Sequence, residues 1–360
     1  MRLSRPATRA MNRLFATSFR AGRLAIAAGA ALVLIRAVPA MRAGEAAAAE
    51  PAPVTLVLQW NHQAQFAGYY MALEKGLYRR EGLDVRIRRG GPDVSTCEEL
   101  GAGRADFCCT MLSTALEKRA AGLPLVLLAQ IVSRSNFVLV AWKHPPGEPG
   151  ATISRPADLA GRRVTVWEAD YRTPYLAFFS AAGVQPEILP QYYTLSLFLH
   201  RGADACSAMR YNEYHRLMQH GVRPEDVVVF NLWEHGIALP EDGLYTLQKT
   251  WIGRPEVCRA FARASLAGWS CAREHPEQAL ALVMRYVDAD NVPTNRPHMR
   301  WMLREILRSI FPEQGDSWTF GQLSPPAYAR AVDLLLRHGN LQGAPAFGDF
   351  VTTEASHVVP

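Results

Sequence analysis

Gly103-Arg104-Ala105-Asp106 ends one helix-like segment and opens a strand-like run, and Gly202-Ala203-Asp204-Ala205 does the same in the second half of the chain. A glycine that stops a helix just before a run of buried-type residues is the junction that a strand–helix–strand unit needs. Outward from the first junction, residues 54–60 read as a strand and 67–80 as a helix closed by Glu81-Gly82. Residues 85–88 follow as a strand with Val85 and Ile87 alternating, 94–102 as a helix after the turn Gly90-Gly91-Pro92-Asp93, and 105–109 as a third strand. A helix over 113–121, closed by Gly122, leads to a strand over 125–132 and another over 136–142. Strands that alternate with helices at this spacing predict a parallel, doubly wound α/β sheet.

His144-Pro145-Pro146-Gly147-Glu148-Pro149-Gly150 reads as the domain boundary, and the pattern restarts beyond it. Strands are expected over 164–167, 188–192, 204–209 and 227–230, with helical segments over 173–182, 195–200 and 212–219. The repeated order of elements, with the echoed Gly-x-Ala-Asp and Gly-Ala-Asp junctions, points to two similar lobes. Asp106 and Asp204 are assigned structural roles as strand-start residues. From about residue 244 the chain turns helical, with Val257, Phe261, Ala264 and Gly268 on one helix face. A strand over 245–247 is expected to return to the first lobe. The expected organisation is a leader over 1–46, the first part of lobe 1 over 53–142, lobe 2 over 151–238, and 244–360 as the return to lobe 1 with C-terminal helices. Crossings near 143–150 and 238–244 form a hinge, and ligand is expected where strand ends from both lobes meet.

The net charge of +6 is concentrated at the start. Residues 1–46 carry eight arginines and one acid, Glu45, and the remainder is close to neutral, so the folded part carries no basic nucleic-acid footprint. Arg2 to Arg23 followed by the twelve-residue apolar run 24–35 predicts a secretory signal, with cleavage near Val38-Pro39-Ala40 or Gly44-Glu45-Ala46. The run is shorter than the about 20 residues of a membrane span. The expectation is a periplasmic protein with no stable membrane insertion after cleavage. No cysteine precedes Cys97 to carry a lipid anchor. Six cysteines in an oxidising compartment invite disulfides. A bridge between the adjacent Cys108 and Cys109 is strained, and Cys258 and Cys271 lie about 20 Å apart if they share a helix. Most are expected as small buried hydrophobes, and no spacing of His and Cys suggests a metal site.

The run Leu58-Gln59-Trp60-Asn61-His62-Gln63-Ala64-Gln65-Phe66-Ala67-Gly68-Tyr69-Tyr70, with Lys75-Gly76-Leu77-Tyr78 and Glu81-Gly82-Leu83-Asp84-Val85 after it, resembles the start of the NMT1/THI5-like (SsuA/THI5-like) binding proteins. Asp158-Leu159-x-Gly161-x-Arg163-Val164 and Ser207-Ala208-Met209-x-Tyr211-Asn212-Glu213 extend the likeness into the second lobe, over roughly residues 53–285. The resemblance implies a type II periplasmic-binding fold: two doubly wound lobes joined by a two-strand hinge, here with a helical C-terminal extension. It implies a small-molecule ligand such as a thiamine pyrimidine precursor and an ABC permease with its ATPase as partners; a monomer without a cofactor is expected. The same family holds a thiamine pyrimidine synthase that consumes its own histidine and pyridoxal phosphate. Aligned on Gly103 to Asp106, its lysine and histidine positions hold Thr110 and Thr114, and threonine supplies no amine for a Schiff base. Its cysteine-rich run is replaced by residues 237–242, and its phosphate loop by Trp167-Glu168-Ala169-Asp170, whose carboxylates repel phosphate. A periplasmic sensor input is the remaining alternative.

Candidate ligand contacts are chosen by position after strands. Trp60 offers a flat face for stacking, or else packs in the core. Asn61 neighbours it. His62 donates to a ring nitrogen or lies on the surface, and Gln65 pairs with a heterocycle edge or caps the next helix. Asp93 contacts ligand or only fixes its turn. Thr110 is expected to turn its hydroxyl to the cleft. In the second lobe Trp167, Glu168, Asp170 and Tyr171 occupy the equivalent loop, and their carboxylates suggest a neutral or cationic ligand, or else a solvated helix start. Tyr211, Asn212 and Glu213 complete the set, with Asn212 alternatively a helix cap and Glu213 the foremost carboxylate contact.

Overall fold

The computed structural model describes residues 50–352, apart from 92, 169–170, 238, 313–318 and 339–340. The expected leader lies outside the described residues. The chain runs β1 (Ala52–Val57), α1 (Ala67–Glu74), α2 (Leu77–Arg80), β2 (Leu83–Arg88), α3 (Thr96–Gly101), β3 (Phe107–Met111), α4 (Leu112–Ala120), β4 (Leu125–Gln130) and β5 (Phe137–Trp142). It continues through β6 (Arg163–Trp167), α5 (Thr173–Ala182), β7 (Glu187–Gln191), α6 (Ser196–Leu199), β8 (Ala205–Met209), α7 (Glu213–Gln219), β9 (Val227–Asn231) and β10 (Asp242–Leu247). The rest is helical: α8 (Gln248–Gly253), α9 (Pro255–Glu274), α10 (Pro276–Ala289), α11 (Arg296–Ile310), α12 (Pro325–Arg337) and α13 (Phe347–Phe350). The helix expected over 67–80 is two helices, because Gly76 takes the left-handed conformation at φ 66°.

Two five-stranded sheets result, ordered β2-β1-β3-β10-β4 and β7-β6-β8-β5-β9. Each is parallel at its β1 or β6 side, and each takes in one antiparallel strand, β10 or β5. The echoed aspartates do equivalent work. Asp106 Oδ2 accepts the Thr55 N–H and Asp204 Oδ2 accepts the Arg163 N–H, each at 2.8 Å. Each therefore ties the start of one parallel strand to its neighbour, Asp106 to the middle of β1 and Asp204 to the start of β6. Along β5, Phe137, Leu139 and Ala141 join the core shared with lobe 1, while Val138, Val140 and Trp142 enter a separate core with Phe198 and Leu217. Both faces of that strand are covered, so it reads as an unbroken apolar run.

The boundary expected at 143–150 is corrected. β5 pairs with β8 and β9, so the chain has already changed lobe between β4 and β5, over 131–136. The Pro/Gly segment 144–150 is a loop within lobe 2. Turn-forming residues marked an exposed bend, whereas the real crossing needs its backbone held. The return crossing, 236–241, lies beside the first. Ile131 and Val132 donate their N–H groups to the Asp242 carbonyl at 3.0 Å, and Glu241 N–H donates to the Val132 carbonyl at 2.9 Å. The fully buried Glu241 carboxylate accepts from the Asn136 N–H, and from Ser135 Oγ and Asn136 Nδ2 at 3.2 Å each. Asn136 in turn accepts from Ser309 Oγ of α11 at 2.9 Å.

The C-terminal helices return to lobe 1. α9 crosses α1 at two facing glycines: a Cβ on Gly268 would lie 2.2 Å from the Gly68 carbonyl oxygen. Beyond α11, Gly321 bridges Gln130, and Val351 bridges Leu127, where Thr352 N–H donates to the Leu127 carbonyl at 3.0 Å. These segments cover part of the outer edge of β4, which otherwise offers unpaired backbone groups. Cys258 and Cys271 share α9 as expected, and all six cysteines are thiols, five of them buried.

Burial outweighs the donors around Glu241 and pushes its carboxyl up to about 8, with the neighbouring Asp242 adding to the rise. Burial likewise raises Asp242 to about 6. The folded chain therefore binds protons more tightly than the unfolded one above the ordinary carboxylate range, and this contribution to stability falls as pH rises toward about 8. The melting temperature is expected to fall between about pH 5 and about pH 8, and Glu241→Gln to flatten that slope. For the helix crossing, Gly268→Ala should lower the unfolding free energy by about 1–3 kcal/mol in urea. Gly253→Ala, with open space around its Cβ, should not destabilise.

Candidate ligand-binding site

A cavity of about 510 Å³ opens between the two sheets. That size falls within the range of small-molecule sites. Its lobe 1 wall is the loop after β1, its lobe 2 wall comes from the ends of β6, β7 and β8, and its third side is the α10–α11 connection with the start of α11.

On the lobe 1 side the floor is a set of amides arranged by one carboxylate. Gln59 Nε2 donates to Asp242 Oδ1, and Gln65 Nε2 donates to Asp242 Oδ2 at 2.8 Å. Gln63 Nε2 donates to Gln65 Oε1. Asp242 is the first residue of β10, so the hinge strand that returns to lobe 1 also orients the floor of the cavity. Above the floor, Trp60 reaches across the cleft. Its ring centroid lies 5.4 Å from Tyr193 at an interplanar angle of 31°, and 6.0 Å from Tyr171 at 84°. Asn61 Nδ2 donates to the Tyr193 hydroxyl, a second contact between lobes. Trp167 stands 6.0 Å from Tyr171, so indoles from both lobes flank one tyrosine.

The lobe 2 wall is held by a hydrogen-bond chain that starts in the C-terminal region. His215 and His298 place their Nδ1 atoms 2.8 Å apart. His298 Nε2 lies 2.9 Å from Asn212 Oδ1, which can only accept, so His298 Nε2 carries a proton. Burial, then the neighbouring His215 and Arg216, push His298 down to about 4, so it is neutral near pH 7. Its Nδ1 accepts from His215, and Asn212 Nδ2 is left to donate to Glu213 Oε1 at 2.7 Å. The other Glu213 oxygen accepts the Met209 N–H at 3.0 Å.

Of the residues picked from sequence, Trp60, Asn61, Gln65, Trp167, Tyr171, Tyr211, Asn212 and Glu213 line this cavity. Glu213 lines it with both oxygens already bonded within its own lobe. Four do not line it. His62 turns into lobe 1, its Nδ1 2.6 Å from the Tyr70 hydroxyl and its Nε2 3.6 Å from Asp290, because the chain bends at residues 64–66 into α1. Thr110 is buried inside β3 opposite Gly243, since that strand runs two residues further than its pattern suggested. Asp93 lies exposed at the Gly91–Val94 bridge, in the turn. Glu168 is exposed and pairs with Arg172 at 2.6 Å, one helical turn on. Asp170 lies outside the described residues. Glu168 therefore lends no support to a neutral or cationic ligand, and Glu213 is the one carboxylate among the described lining residues.

Sequence reasoning missed Tyr192 and Tyr193, although this doublet at the end of β7 obeys the strand-end rule that selected Trp167. It also missed Arg216, Thr294, Asn295, His298 and Met299. The last four belong to a stretch whose side chains carry no positional signal until α11 is packed across the cleft.

Two α/β lobes of like topology, crossed twice by the chain and enclosing a cavity at their strand ends, are the fold of two-lobed solute-binding proteins. The chain belongs to the NMT1/THI5 like family, whose model matches residues 63–279. It is 25% identical over 247 residues to a formylaminopyrimidine-binding protein of Halalkalibacterium halodurans, covering 67% of this chain and 72% of that one. It is 24% identical over 316 residues to the riboflavin-binding protein RibY of Chloroflexus aurantiacus, covering 81% and 84%. In fold it resembles the periplasmic aliphatic sulphonate binding protein SsuA of Escherichia coli, with a TM-score of 0.61 at 15% identity over 84% of this chain and 92% of that one. Among the described residues no helix is long and apolar enough to cross a membrane.

The cross-cleft ring pairs contribute about 0.5–1.5 kcal/mol each to holding the lobes together. Trp60→Ala is therefore expected to raise the radius of gyration of the ligand-free protein in X-ray solution scattering. An unchanged radius would show that the rings do not hold the closed arrangement.

Proposed function

We propose that this chain is the solute receptor of an ABC importer, exported through its N-terminal leader, and that it closes on a planar nitrogen heterocycle. The observation that carries this reading is the cavity wall: aromatic rings and side-chain amides from both lobes converge on one volume. Rings supply stacking faces, and amides supply paired donors and acceptors for a heterocycle edge. Trp60, Asn61, Gln65, Trp167, Tyr171, Tyr211, Asn212 and Glu213 form the proposed contact set, extended by Tyr193 and Asn295. Closure brings Trp60 against the lobe 2 tyrosines, so a ligand bridging them biases the hinge toward the closed state. The names of the two relatives point the same way, since a formylaminopyrimidine and a flavin are both flat rings with mixed donors and acceptors. A monomer that hands its cargo to a permease and its ATPase fits this reading.

The synthase alternative is disfavoured by position. Thr110 and Thr114, at its lysine and histidine positions, are buried in β3 and α4, away from the cavity wall. A sensor input would use the same cavity and differ only in its docking partner.

Thermal shift against formylaminopyrimidine, hydroxymethylpyrimidine, thiamine, riboflavin, pyridoxal phosphate and alkyl sulfonates tests the reading. A cognate heterocycle at saturating concentration should raise the melting temperature by about 5 °C or more. The shift should shrink in Trp60→Ala and Tyr193→Ala. Stabilisation by pyridoxal phosphate alone would revive the enzyme, and stabilisation by alkyl sulfonates alone would remove the ring from the proposal.

A further inference from the structure

The cavity wall carries one basic group that makes no direct ion pair with a described carboxylate. Arg216 lies on α7 and is the one arginine or lysine among the described residues that line the cavity. Among the described residues no carboxylate lies within ion-pair distance of its guanidinium, although many other arginines, from Arg88 to Arg337, have such a partner. Glu213, three residues before it on the same helix, is occupied by the Met209 N–H and the Asn212 amide. A second observation lies on the facing segment. Thr294 lines the same cavity, and its Oγ1 is buried with no hydrogen-bond partner. Gln219, one turn beyond Arg216, donates to Asn295 at 3.2 Å, which brings this end of α7 to the Thr294 segment.

The arginine fork supplies donors only, and the threonine hydroxyl on the facing segment can donate as well. Glu213 feels the Arg216 charge only from beyond ion-pair distance, so the guanidinium fork remains open to a planar, bidentate acceptor. The expectation of a neutral or cationic ligand rested on Glu168 and Asp170. Glu168 is spent on Arg172 outside the cavity, and Asp170 lies outside the described residues. We propose that the ligand carries an anionic substituent, a carboxylate or phosphate, that Arg216 binds through its fork, with Thr294 as a neutral donor beside it. This rests on the reading of the cavity as the ligand site, and makes Arg216 its specificity-determining residue.

Calorimetric titration of the full chain with matched pairs tests it: riboflavin against riboflavin 5′-phosphate, and hydroxymethylpyrimidine against its phosphate. Inorganic phosphate alone is added as a thermal-shift probe. At least one phosphorylated member should bind about tenfold or more tighter than its partner, as a charge-assisted hydrogen bond implies. That ratio should collapse in Arg216→Gln and partly survive in Arg216→Lys. The melting temperature of each variant in buffer shows that it folds. Equal affinities within both pairs, or a preference that persists in Arg216→Gln, overturns the proposal. If no ring binds but phosphate stabilises the natural chain and not Arg216→Gln, the anion corner stands and the heterocycle reading falls. If neither the pairs nor phosphate register, the anion corner is overturned.

Discussion

A carboxyl group sealed from water stands where the chain passes between the lobes. Glu241 gathers three donors from residues 135 and 136. Its own backbone N–H reaches Val132. Two irregular segments side by side would leave peptide groups unpaired in a dry interior, at a cost of about 1–3 kcal/mol each. The Glu241 side chain satisfies the Asn136 N–H, and the Ile131, Val132 and Glu241 N–H groups pair with carbonyls of the adjacent crossing. The antiparallel placement of β5 and β10 follows, because each is the strand that leaves this junction. Asp242, the next residue, then orients Gln59 and Gln65 on the cavity floor. Hinge and binding surface are thus joined through two consecutive acidic residues.

The same economy recurs on the other side of the cleft. α11 packs with α10 and with the 64–66 turn of lobe 1, yet its His298 sets the amide of Asn212 in lobe 2. Trp301 Nε1 donates to the Arg210 carbonyl at 3.0 Å, and its ring lies 4.7 Å from His215. The C-terminal region is therefore a third wall that touches both lobes. A neutral His298 suits this place, since burial first and then the neighbouring His215 and Arg216 disfavour an imidazolium.

Asp106 and Asp204 show what a sequence echo is worth. Four-residue similarity says little by itself, but both aspartates hold the neighbouring parallel strand through the same bond at the same length. These strand-start residues are legible by position, although their partners Thr55 and Arg163 lie far away in the chain. Tyr192-Tyr193 was legible by the same rule and overlooked, since a strand end marks cleft loops in either lobe.

Local periodicity determined the α/β class, the two-lobe repeat, the helical C-terminal part and the placement of Trp60, Trp167, Tyr171 and Tyr211 after strands. These depend on which residues favour strand or helix and on where strands stop, and such properties are written within a few positions of one another. Tertiary structure alone decided that the first crossing is at 131–136, that His62 and Thr110 turn into lobe 1, and that His298 and Arg216 meet one cavity. Each of these depends on partners far away in the chain: Glu241 for the crossing, Asp290 for His62, β10 for Thr110, and the packing of α11 against α7 for the cavity wall. A side chain's direction is settled by what covers it, and no window of sequence around it contains that cover.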